Sequence, residues 1–427
     1  MPTRSAVRAA RGVRDILPAE RASFAVVEHA ASEAARRYGY QEVELPIIEP
    51  VELIERGVGS DTDAGSKELY RLEPHGDADG ESAARLVLRP EATASMVRAY
   101  FQGNLNQGAQ PVRLFTIGPL FRHDKPQHLR YRQFTQFDVE VIGDPSPAYD
   151  AEVIEMTWGW LEAMGIGRVA LELNSIGDAN CRPQYLRALQ DYYRPLRDRL
   201  CPECQRRVEE NPLRLFDCKE AQCQPFMAAA PRITDHLCPA CAAAFDEVRR
   251  LLDAAGIEYR LNPRLVRGLD YYTRTVFEYQ HEALGGAQNS LGGGGRYDRL
   301  AADLGYPDTP GVGFAGGVDR VAYMLQHDLG AVTPPPAAEV LVLPMGEGLD
   351  RAAAQVGRLC RGLRPTAVDY SARSLRAKMR AADRSGARWA AIMNAEEAER
   401  HVVQLRNLIS GEQREVGWDA LPEALAR

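Results

Sequence analysis

Two apolar strands joined by a charged loop dominate the stretch from residue 112 to residue 143. The first strand is predicted over Val112–Arg122, the loop reads HDKPQHLR, and the second strand is predicted over Tyr131–Ile142. Successive residues of a strand point to opposite faces. One face of the second strand therefore carries Tyr131, Gln133, Thr135, Phe137, Val139 and Val141, and the other carries Arg132, Phe134, Gln136, Asp138 and Glu140.

The second of these faces has two interpretations. It is either a solvated hairpin surface or the floor of a substrate site. In a substrate site the arginine would meet phosphate, the aromatic ring would meet a flat base, and the amide and carboxylates would meet an amine or an imidazole. The residues of the strand alone leave both interpretations open.

Two further segments combine polar residues with proline or glycine. Leu86–Tyr100 reads as a strand, a turn and a helix start that carries Glu91 and Thr93. An acid at that position also simply complements the helix dipole. Ser290–Tyr297 places four glycines between predicted strands. Such a run forms a tight turn or lets the backbone approach a ligand closely.

Several segments resemble the class II aminoacyl-tRNA synthetases, in the form found in the histidyl-tRNA synthetase family. FRHDKPQHLRYRQFTQFDVEVIG, residues 121–143, resembles motif 2, and ELPIIEP, residues 44–50, resembles motif 1. VGFAGGVDRVAYM, residues 312–324, resembles motif 3, with Arg320 in the first turn of an apolar helix. LVRGLDYYTRTVFEY, residues 265–279, resembles the histidine-binding signature of that family, and we refer to it as the histidine signature.

The resemblance implies an α/β (α+β) fold in two domains. Residues 1–336 are expected to form a class II catalytic domain, an antiparallel sheet with flanking helices, and to include a helical insertion at about 178–258. Pro334–Pro336 marks a linker. Residues 337–427 alternate strands and helices up to a last strand near 401–408. They resemble the α/β anticodon-binding domain shared with glycyl, prolyl and threonyl synthetases.

The resemblance also implies an activity, the ATP-dependent conversion of L-histidine to histidyl-adenylate and its transfer to the 3′-terminal adenosine of tRNA(His). Arg122 and Arg267 are the expected catalytic residues, because fixed cations stabilise the charge that develops at the α-phosphate. Magnesium is expected on the outer phosphates of ATP. The implied contacts are Arg122, Phe134 and Arg320 with ATP, and Glu91, Thr93, Gln136, Glu140, Arg267, Tyr271 and Tyr272 with histidine.

A homodimer and a loop over the histidine site are implied as well. Motif 1 builds the dimer interface of class II enzymes, and the loop equivalent to Val58–Leu72 lies over the histidine site in the family. Ala92 stands where the family has glycine, Thr135 where histidine is common, and Leu129 where glycine is common. The last two lie in motif 2, so they bear on fine recognition of the tRNA rather than on activation.

Two Cys-x-x-Cys pairs lie in the segment 178–258 and together offer the four thiolates of a closed structural zinc site. The predicted ligands are Cys201, Cys204, Cys238 and Cys241. The separation of the pairs is longer than the commonest zinc-finger spacings. Cys218 and Cys223 lie between the pairs and could substitute for one of them. The alternative is a set of reduced structural cysteines, as expected in a cytoplasmic chain.

Composition and charge limit the class of protein. The net charge of -7 argues against a uniformly basic nucleic-acid binder but allows local basic patches. One such patch is a predicted helical row near Arg373, which is either a tRNA-phosphate surface or a solvated helix face. Its members are Arg376, Arg380, Arg384 and Arg388. No apolar run approaches the ~20 residues of a membrane helix, and the basic N-terminus lacks the apolar centre of a signal peptide. A cytoplasmic location without membrane contact is expected.

Other protein classes fit less well. A catalytically inactive regulatory paralogue of ATP phosphoribosyltransferase would lack the tRNA domain and lose signature residues, whereas this chain keeps Arg122, Arg267, Arg320 and the region 337–427. A sensor of uncharged tRNA would need fused signalling domains, for which 427 residues leave no room. Another amino-acid specificity is disfavoured by RGLDYY and Glu140.

Overall fold

A computed structural model describes residues 6–59, 68–73, 85–285, 289–330 and 332–426. The chain divides into two compact units, Met1–Val332 and Thr333–Arg427. Each unit has its own sheet and its own apolar core. Within the described ranges, no helix has both the length and the apolar character that crossing a bilayer requires.

The first unit is organised by an eight-stranded sheet and a smaller three-stranded one. The strands are β1 (Gln41–Glu42), β2 (Ile48–Pro50), β3 (Tyr70–Arg71), β4 (Leu86–Leu88), β5 (Val112–Phe121), β6 (Gln133–Ile142), β7 (Val169–Ser175), β8 (Arg260–Leu261), β9 (Thr273–His281), β10 (Ser290–Arg296) and β11 (Gly311–Gly317). The large sheet has the order β1-β5-β6-β11-β10-β9-β7-β8, and the small one has the order β2-β4-β3. All pairs in the large sheet are antiparallel except β1 with β5 and β7 with β8.

The β5–β6 hairpin is the stretch predicted at 112–143. Its register runs from Val112 opposite Ile142 to Phe121 opposite Gln133. The second strand begins two residues later than predicted. Its predecessor Arg132 turns its backbone amide toward the N-terminal segment and donates to the Gly12 carbonyl at 2.7 Å. This hydrogen bond attaches the end of the charged loop to the N-terminal segment, which lies outside the hairpin.

Helices cover one face of the large sheet. The helices of this unit are α1 (Pro18–Arg37), α2 (Val51–Val58), α3 (Thr93–Gln102), α4 (Ala148–Ala163), α5 (Arg182–Tyr193), α6 (Pro202–Glu210), α7 (Gln224–Ala228), α8 (Pro239–Ala254), α9 (Leu300–Asp303) and α10 (Val318–Leu329). Helices α1, α4, α8 and α10 close the core against the face of β6 that carries Phe137, Val139 and Val141. Trp160 packs edge-on against Phe137 at 5.2 Å between ring centroids. The opposite face of β6 remains for polar side chains.

The chain between β7 and β8 forms a helical segment with a small core of its own. It contains α5 to α8 and three 3-10 helices, Arg194–Arg199, Pro212–Asp217 and Ile233–His236. Tyr185, Leu189 and Tyr193 of α5 pack in this core together with buried cysteines. Four cysteines, Cys201, Cys204, Cys218 and Cys223, share this interior with leucine and tyrosine side chains.

The second unit is a five-stranded α/β domain. Its elements are β12 (Val340–Pro344), α11 (Asp350–Arg361), β13 (Thr366–Val368), α12 (Leu375–Ser385), β14 (Trp389–Met393), α13 (Ala395–Glu399), β15 (Val402–Asn407), β16 (Gln413–Gly417) and α14 (Leu421–Ala426). The sheet order is β13-β12-β14-β15-β16. The sequence predicted the elements up to β15 except the short helix α13, and it did not predict α14. It missed the edge strand β16, because a charged edge strand shows little apolar alternation.

Only three of the four arginines in the predicted row lie on the helix. Arg376, Arg380 and Arg384 are exposed on α12, but α12 ends at Ser385 and Gly386 adopts φ 74°. A glycine in the left-handed region is a common end of a helix. Arg388 therefore lies outside α12, with its guanidinium 5.5 Å from the ring centroid of Trp389.

Candidate active site

A cleft of about 410 Å³ opens over the polar face of β6. Its volume is typical of a small-molecule site. The predicted contacts that line it are Glu91, Thr93, Arg122, Phe134, Gln136, Arg267, Tyr271, Tyr272 and Arg320. Glu140 lies beside them and is bonded to Thr93. The structure thus brings every predicted histidine and ATP contact to one place.

Glu91 serves both the helix and the cleft. Its carboxylate accepts the backbone N–H groups of Thr93 at 2.8 Å and Ala94 at 2.9 Å, at the start of α3. Glu91 therefore has the structural role considered from the sequence, in which an acid at the helix start complements the helix dipole. The same carboxylate lines the cleft. Burial raises the pKa of Glu91, against these two hydrogen bonds and the nearby Arg122.

Glu140 is held by two hydroxyl donors. Thr93 Oγ1 donates to its Oε1 at 2.6 Å, and the Tyr297 hydroxyl donates to its Oε2. Burial raises the pKa of Glu140 well above its ordinary value in spite of both donors. A negative charge at this position therefore gains from a further N–H donor supplied by a ligand.

Asp138 is the third buried carboxylate of the group, with 2% of its surface exposed. Burial and then the neighbouring Glu91 raise the pKa of Asp138 to about 8. When ionised, three carboxylates in this position lose their contact with water and also repel one another. A cation placed among them would offset both the lost solvation and the repulsion. This end of the cleft is suited to an ammonium group.

Arg122 brings positive charge to the cleft from the end of β5. Its Nε donates to the Pro90 carbonyl at 2.9 Å, and its guanidinium lies 5.3 Å from the ring centroid of Phe134. Burial lowers the pKa of Arg122, while Glu68 and Glu91 raise it. The bond to Pro90 fixes the side chain before any ligand enters.

Arg267 has an unused hydrogen-bond donor. Its Nη1 pairs with Glu278, and among the described residues its buried Nε has no hydrogen-bond partner. Burial opposes the charge, but Glu278, Tyr272 and Tyr271 outweigh it and raise the pKa of Arg267. Buried donors are nearly always paired in native proteins. The free Nε of Arg267 is therefore available to an acceptor that a ligand in the cleft supplies.

Arg320 and Gln136 complete the set of cleft residues. Arg320 Nη1 donates to the Ser290 carbonyl at 2.7 Å, and Nε donates to the Leu129 carbonyl at 3.3 Å. Burial and then the like charge of Arg130 lower the pKa of Arg320. Gln136 Oε1 is buried and has no partner within the described ranges.

The glycine run makes room for side chains. It lies inside β10, not between strands as the sequence suggested. A Cβ at Gly293 would lie 2.8 Å from Arg267 Nη1, and one at Gly295 would lie 2.9 Å from Tyr272 Cδ1. On β11, a Cβ at Gly313 would meet Glu140 Oε2 at 1.7 Å. These positions must lack a side chain for the cleft residues to lie where they do.

Sequence reasoning assigned no role to Tyr297 or Arg214, and placed Asp138 only on the polar face. Tyr297 follows the glycine run directly, a neighbourhood that could have pointed to it. Arg214 comes from the 3-10 helix Pro212–Asp217 of the helical segment and donates to the Gly268 carbonyl at 2.9 Å and to Asp270 at 3.0 Å. Its distance in sequence from the histidine signature left no signal.

Leu129 and Ala92, where the chain departs from the family pattern, have clear backbone settings. Leu129 has φ 58°, in the left-handed region that favours glycine, which accounts for glycine being common there. Its side chain is 8% exposed in the core of the first unit. Ala92, at the N-cap of α3, has φ -107° and needs no glycine. Of the predicted loop over the histidine site, residues 60–67 lie outside the described residues.

The predicted zinc ligand set needs correction. Cys201 and Cys204 lie with Cys218 and Cys223, and a separate group joins Cys238 and Cys241 to Asp178 and Cys181. The reason is the path of the chain. The turn after α6 folds back on the first Cys-x-x-Cys pair, whereas the second pair begins α8, beside the residues that follow β7.

Comparison with known proteins assigns the family. The sequence model of the histidyl-tRNA synthetases matches residues 12–321, and that of the anticodon binding domain matches residues 339–427. The chain belongs to the histidyl-tRNA synthetase family. The histidine–tRNA ligase of Moorella thermoacetica is 45% identical over 412 residues, 95% of each chain. That of Desulfitobacterium hafniense is 42% identical over 412 residues, 96% of each chain.

Solved structures agree with this family. Apo S. aureus histidyl-tRNA synthetase has a TM-score of 0.80 and 32% identity, and covers 99% of this chain and 100% of its own. A Bacillus halodurans chain described as an ATP phosphoribosyltransferase regulatory subunit/histidyl-tRNA synthetase has a TM-score of 0.65 over 92% of this chain and 100% of its own. At 20% identity it shares the fold alone. The predicted fold and the predicted enzyme class, an aminoacyl-tRNA ligase, are confirmed over the regulatory paralogue.

Proposed function

We propose that this chain is a histidine–tRNA ligase, which activates L-histidine with ATP and transfers it to the 3′-terminal adenosine of tRNA(His). The observation that carries the proposal is one cleft in which three buried carboxylates lie close to fixed arginines. A site for a zwitterionic amino acid and a polyphosphate needs negative groups at one end and positive groups at the other. The carboxylates suit the α-ammonium group, and the arginines suit the phosphates.

Histidine would bind at the carboxylate end of the cleft. Glu91, Thr93 and Gln136 would hold its α-ammonium group, which would donate to the unpaired Gln136 Oε1. Glu140 and Tyr272 would read the imidazole, whose two ring nitrogens can donate or accept. A site that pairs buried polar groups rejects ligands that leave them unpaired, by ~10⁴-fold or more in favourable cases. That discrimination would come from binding alone.

ATP would bind at the arginine end. The histidine carboxylate oxygen attacks the α-phosphorus, the bond to the β-phosphate oxygen breaks, and pyrophosphate leaves. Arg122 and Arg267 would stabilise the charge on the α-phosphate oxygens, with the free Arg267 Nε as one donor. Adenine would stack on Phe134, with the Arg320 guanidinium on its other face. Magnesium arrives with ATP and neutralises its outer phosphates.

The tRNA would be shared between the two proposed domains, residues 1–336 and 337–427. The anticodon-binding family match at 339–427 and the separate core of the second unit support this division. The exposed row Arg376, Arg380 and Arg384 would contact phosphates, which attract arginine independently of base sequence. The helical insertion at about 178–258 would meet the acceptor arm.

We further propose a cytoplasmic homodimer that pairs through motif 1. Ile47 and Ile48 in that motif are 40% and 49% exposed, and burying their apolar surface against a second copy would be favourable. Sedimentation equilibrium should give twice the chain mass, and Ile48→Glu should shift the equilibrium toward the monomer. A monomeric unaltered protein would contradict this part of the proposal.

The test of the central proposal is histidine-dependent exchange between ATP and labelled pyrophosphate, run with a panel of other amino acids. Exchange is expected with histidine alone. Arg267→Ala should abolish it, because a phosphate donor and the partner of Glu278 are both lost. Arg264→Ala, an exposed arginine three residues away, is the matched control and should exchange normally.

Transfer is tested separately by charging tRNA(His) under the same conditions. No exchange with any amino acid, from protein that unfolds cooperatively, would refute the proposed function. Exchange with a different amino acid would refute the assignment of Glu140 and Tyr272 to imidazole.

A further inference from the structure

The helical segment between β7 and β8 contains two compact groups of metal-binding side chains. In each group four ligand atoms lie within 4.8 Å of one another. The first group is Cys201, Cys204, Cys218 and Cys223, and the second is Asp178, Cys181, Cys238 and Cys241. Neither group touches the chemistry proposed for the cleft. The sequence left the first set open as an alternative, with Cys218 and Cys223 in place of one pair, but it did not predict the second set or a site with two ions.

The sulfur spacing of the first group is compatible with tetrahedral zinc. Zinc–thiolate bonds of ~2.3 Å in tetrahedral geometry place neighbouring sulfurs about 3.8 Å apart. Cys201 Sγ and Cys218 Sγ are 3.8 Å apart. Backbone N–H groups aim at the sulfurs, from Cys204 to Cys201 Sγ at 3.4 Å and from Cys201 to Cys223 Sγ at 3.3 Å. Such donors orient thiolates and offset their charge.

The second group has the composition of a three-thiolate, one-carboxylate site. The Asp178 backbone N–H donates to Cys181 Sγ at 3.4 Å, and Asp178 Oδ1 lies 3.7 Å from Cys181 Sγ and 4.0 Å from Cys238 Sγ. Arg274 lies 3.5 Å from Asp178 Oδ2 and lowers the cost of gathering acidic ligands. Carboxylate oxygen and thiolate sulfur are both zinc ligands.

Disulfides account for these groups less completely than a metal does. All eight cysteines are free thiols, and the second group has three of them, so one disulfide would leave a thiol and a carboxylate without a role. A four-coordinate ion uses all four side chains in each group. Closed sites of four protein ligands are the structural kind of zinc site, in which no position remains for a reactant.

We propose that this chain binds two structural zinc ions, one in each group. The first ion joins α6, the turn at Pro212–Asp217 and the start of α7 inside the small core of the segment. The second joins the entrance of the segment, just after β7, to its exit at the start of α8. Two ions therefore fix both the body and the base of the segment, in addition to its small apolar core.

Both ions also lie behind arginines that hold the histidine signature. Arg214, on the turn between Cys204 and Cys218, donates to the Gly268 carbonyl. Arg182, next to Cys181, donates to the Tyr272 carbonyl at 2.6 Å. Metal at these positions would keep both arginines in reach of the signature without contacting a substrate.

The test is the zinc content of the tag-free, full-length protein, measured by mass spectrometry. The protein is first reduced, then dialysed against zinc, and finally dialysed against zinc-free buffer. Two zinc ions per chain are expected. Cys218→Ser should lose one ion and Cys181→Ser should lose the other. Cys360→Ser, a buried cysteine of the second unit, should retain both. One ion or none in the unaltered protein, or two ions in either group variant, would overturn the proposal.

A second measurement does not depend on how those variants fold. X-ray absorption at the zinc edge should give seven sulfur ligands and one oxygen ligand shared by two ions, as the two groups specify. Asp178→Cys should keep both ions and convert the average environment to sulfur alone. A spectrum of nitrogen and oxygen ligands, or one that does not change in Asp178→Cys, would show that the zinc is bound elsewhere. Because zinc content is measured without substrates, the outcome is independent of the exchange assay.

Discussion

Replacing Gly313 with alanine should damage histidine selection more than it damages the fold. Gly313 lies on β11 opposite Glu140 of β6. A Cβ at this position would lie 1.7 Å from Glu140 Oε2, whereas real Cβ contacts essentially never fall below 3.0 Å. The carboxylate would have to retreat by the difference, 1.3 Å. The carbonyl of Val139, 2.6 Å from the new methyl group, limits how far the methyl itself can move away.

That displacement is large compared with the tolerance of a hydrogen bond. The Tyr297 hydroxyl donates to the displaced Oε2, and Thr93 Oγ1 donates to Oε1 at 2.6 Å. A shift of this size breaks the bond to Oε2 or lengthens it beyond useful range, and it disturbs the bond to Oε1 as the carboxylate moves. A hydrogen bond to a charged group contributes about 1.5–3 kcal/mol. Loss of the proposed contact between Glu140 and imidazole should therefore lower kcat/KM for histidine by about ten- to a hundredfold. Overpacking should reduce the free energy of unfolding by about 1–3 kcal/mol.

The assay is pyrophosphate exchange, first with histidine varied at saturating ATP and then with ATP varied at saturating histidine. The KM for histidine should rise while the KM for ATP stays within about twofold, because the arginine end of the cleft is untouched. Gly159→Ala is the matched control, since no heavy atom lies within 4 Å of a Cβ built there. It lies in α4, so alanine should stabilise the protein by about 0.5–1 kcal/mol and leave exchange unchanged. A normal histidine KM in Gly313→Ala would refute the assigned role of Glu140.

Three further substitutions, with one exposed control, test individual side chains of the first unit. Asp138→Asn should remove a pH dependence of stability: the folded pKa of about 8 exceeds the ordinary 3.8, so the unaltered protein loses about 3 kcal/mol between pH 6 and pH 9 through this group. Denaturant unfolding at pH 6 and pH 9 should show that the stability of the variant, relative to the unaltered protein, rises by that amount between the two pH values. A difference in stability that is the same at both pH values would contradict the raised pKa. Asp150→Asn should cost about 3–5 kcal/mol in urea unfolding, because Arg296 and Asp150 are each 1% exposed and the guanidinium would stay buried without its partner. The exposed Asp308→Asn should change stability by less than about 1 kcal/mol, and similar losses in both would show that burial is irrelevant. Phe134→Leu should raise the KM for ATP about fivefold or more through lost stacking, with the histidine KM unchanged, and equal effects on both would place the ring elsewhere.

Long periodic segments were the predictable part of this fold. The alternation in β6 assigned Phe137 and Val139 to one face and Gln136 and Glu140 to the other, and the structure places them so. Strand geometry forces this division once the strand exists. Helix α1 was equally predictable, because its buried residues recur at helical spacing. The fold class followed from the order of such segments and from the family resemblance.

Contacts between distant segments were not predictable. Tyr297 reaches Glu140 because β10 and β6 both flank β11, a sheet order that no local pattern specifies. The cysteine groups depend on how the chain turns after α6, and spacing alone paired Cys204 with the wrong partners. The unpaired Arg267 Nε is likewise a property of the packed structure. Sequence identified the reactive side chains but not which of them meet.

The reach of Arg214 ties the evolution of two segments together. Its guanidinium leaves the helical segment and bonds to Gly268 and Asp270 inside the histidine signature. An insertion exchanged between two relatives would separate this arginine from the partner with which it was selected. Residues 214 and 270 should therefore vary in concert across relatives whose insertions differ in length. Chimaeras that treat the insertion as a removable accessory should lose affinity for histidine before they lose the fold.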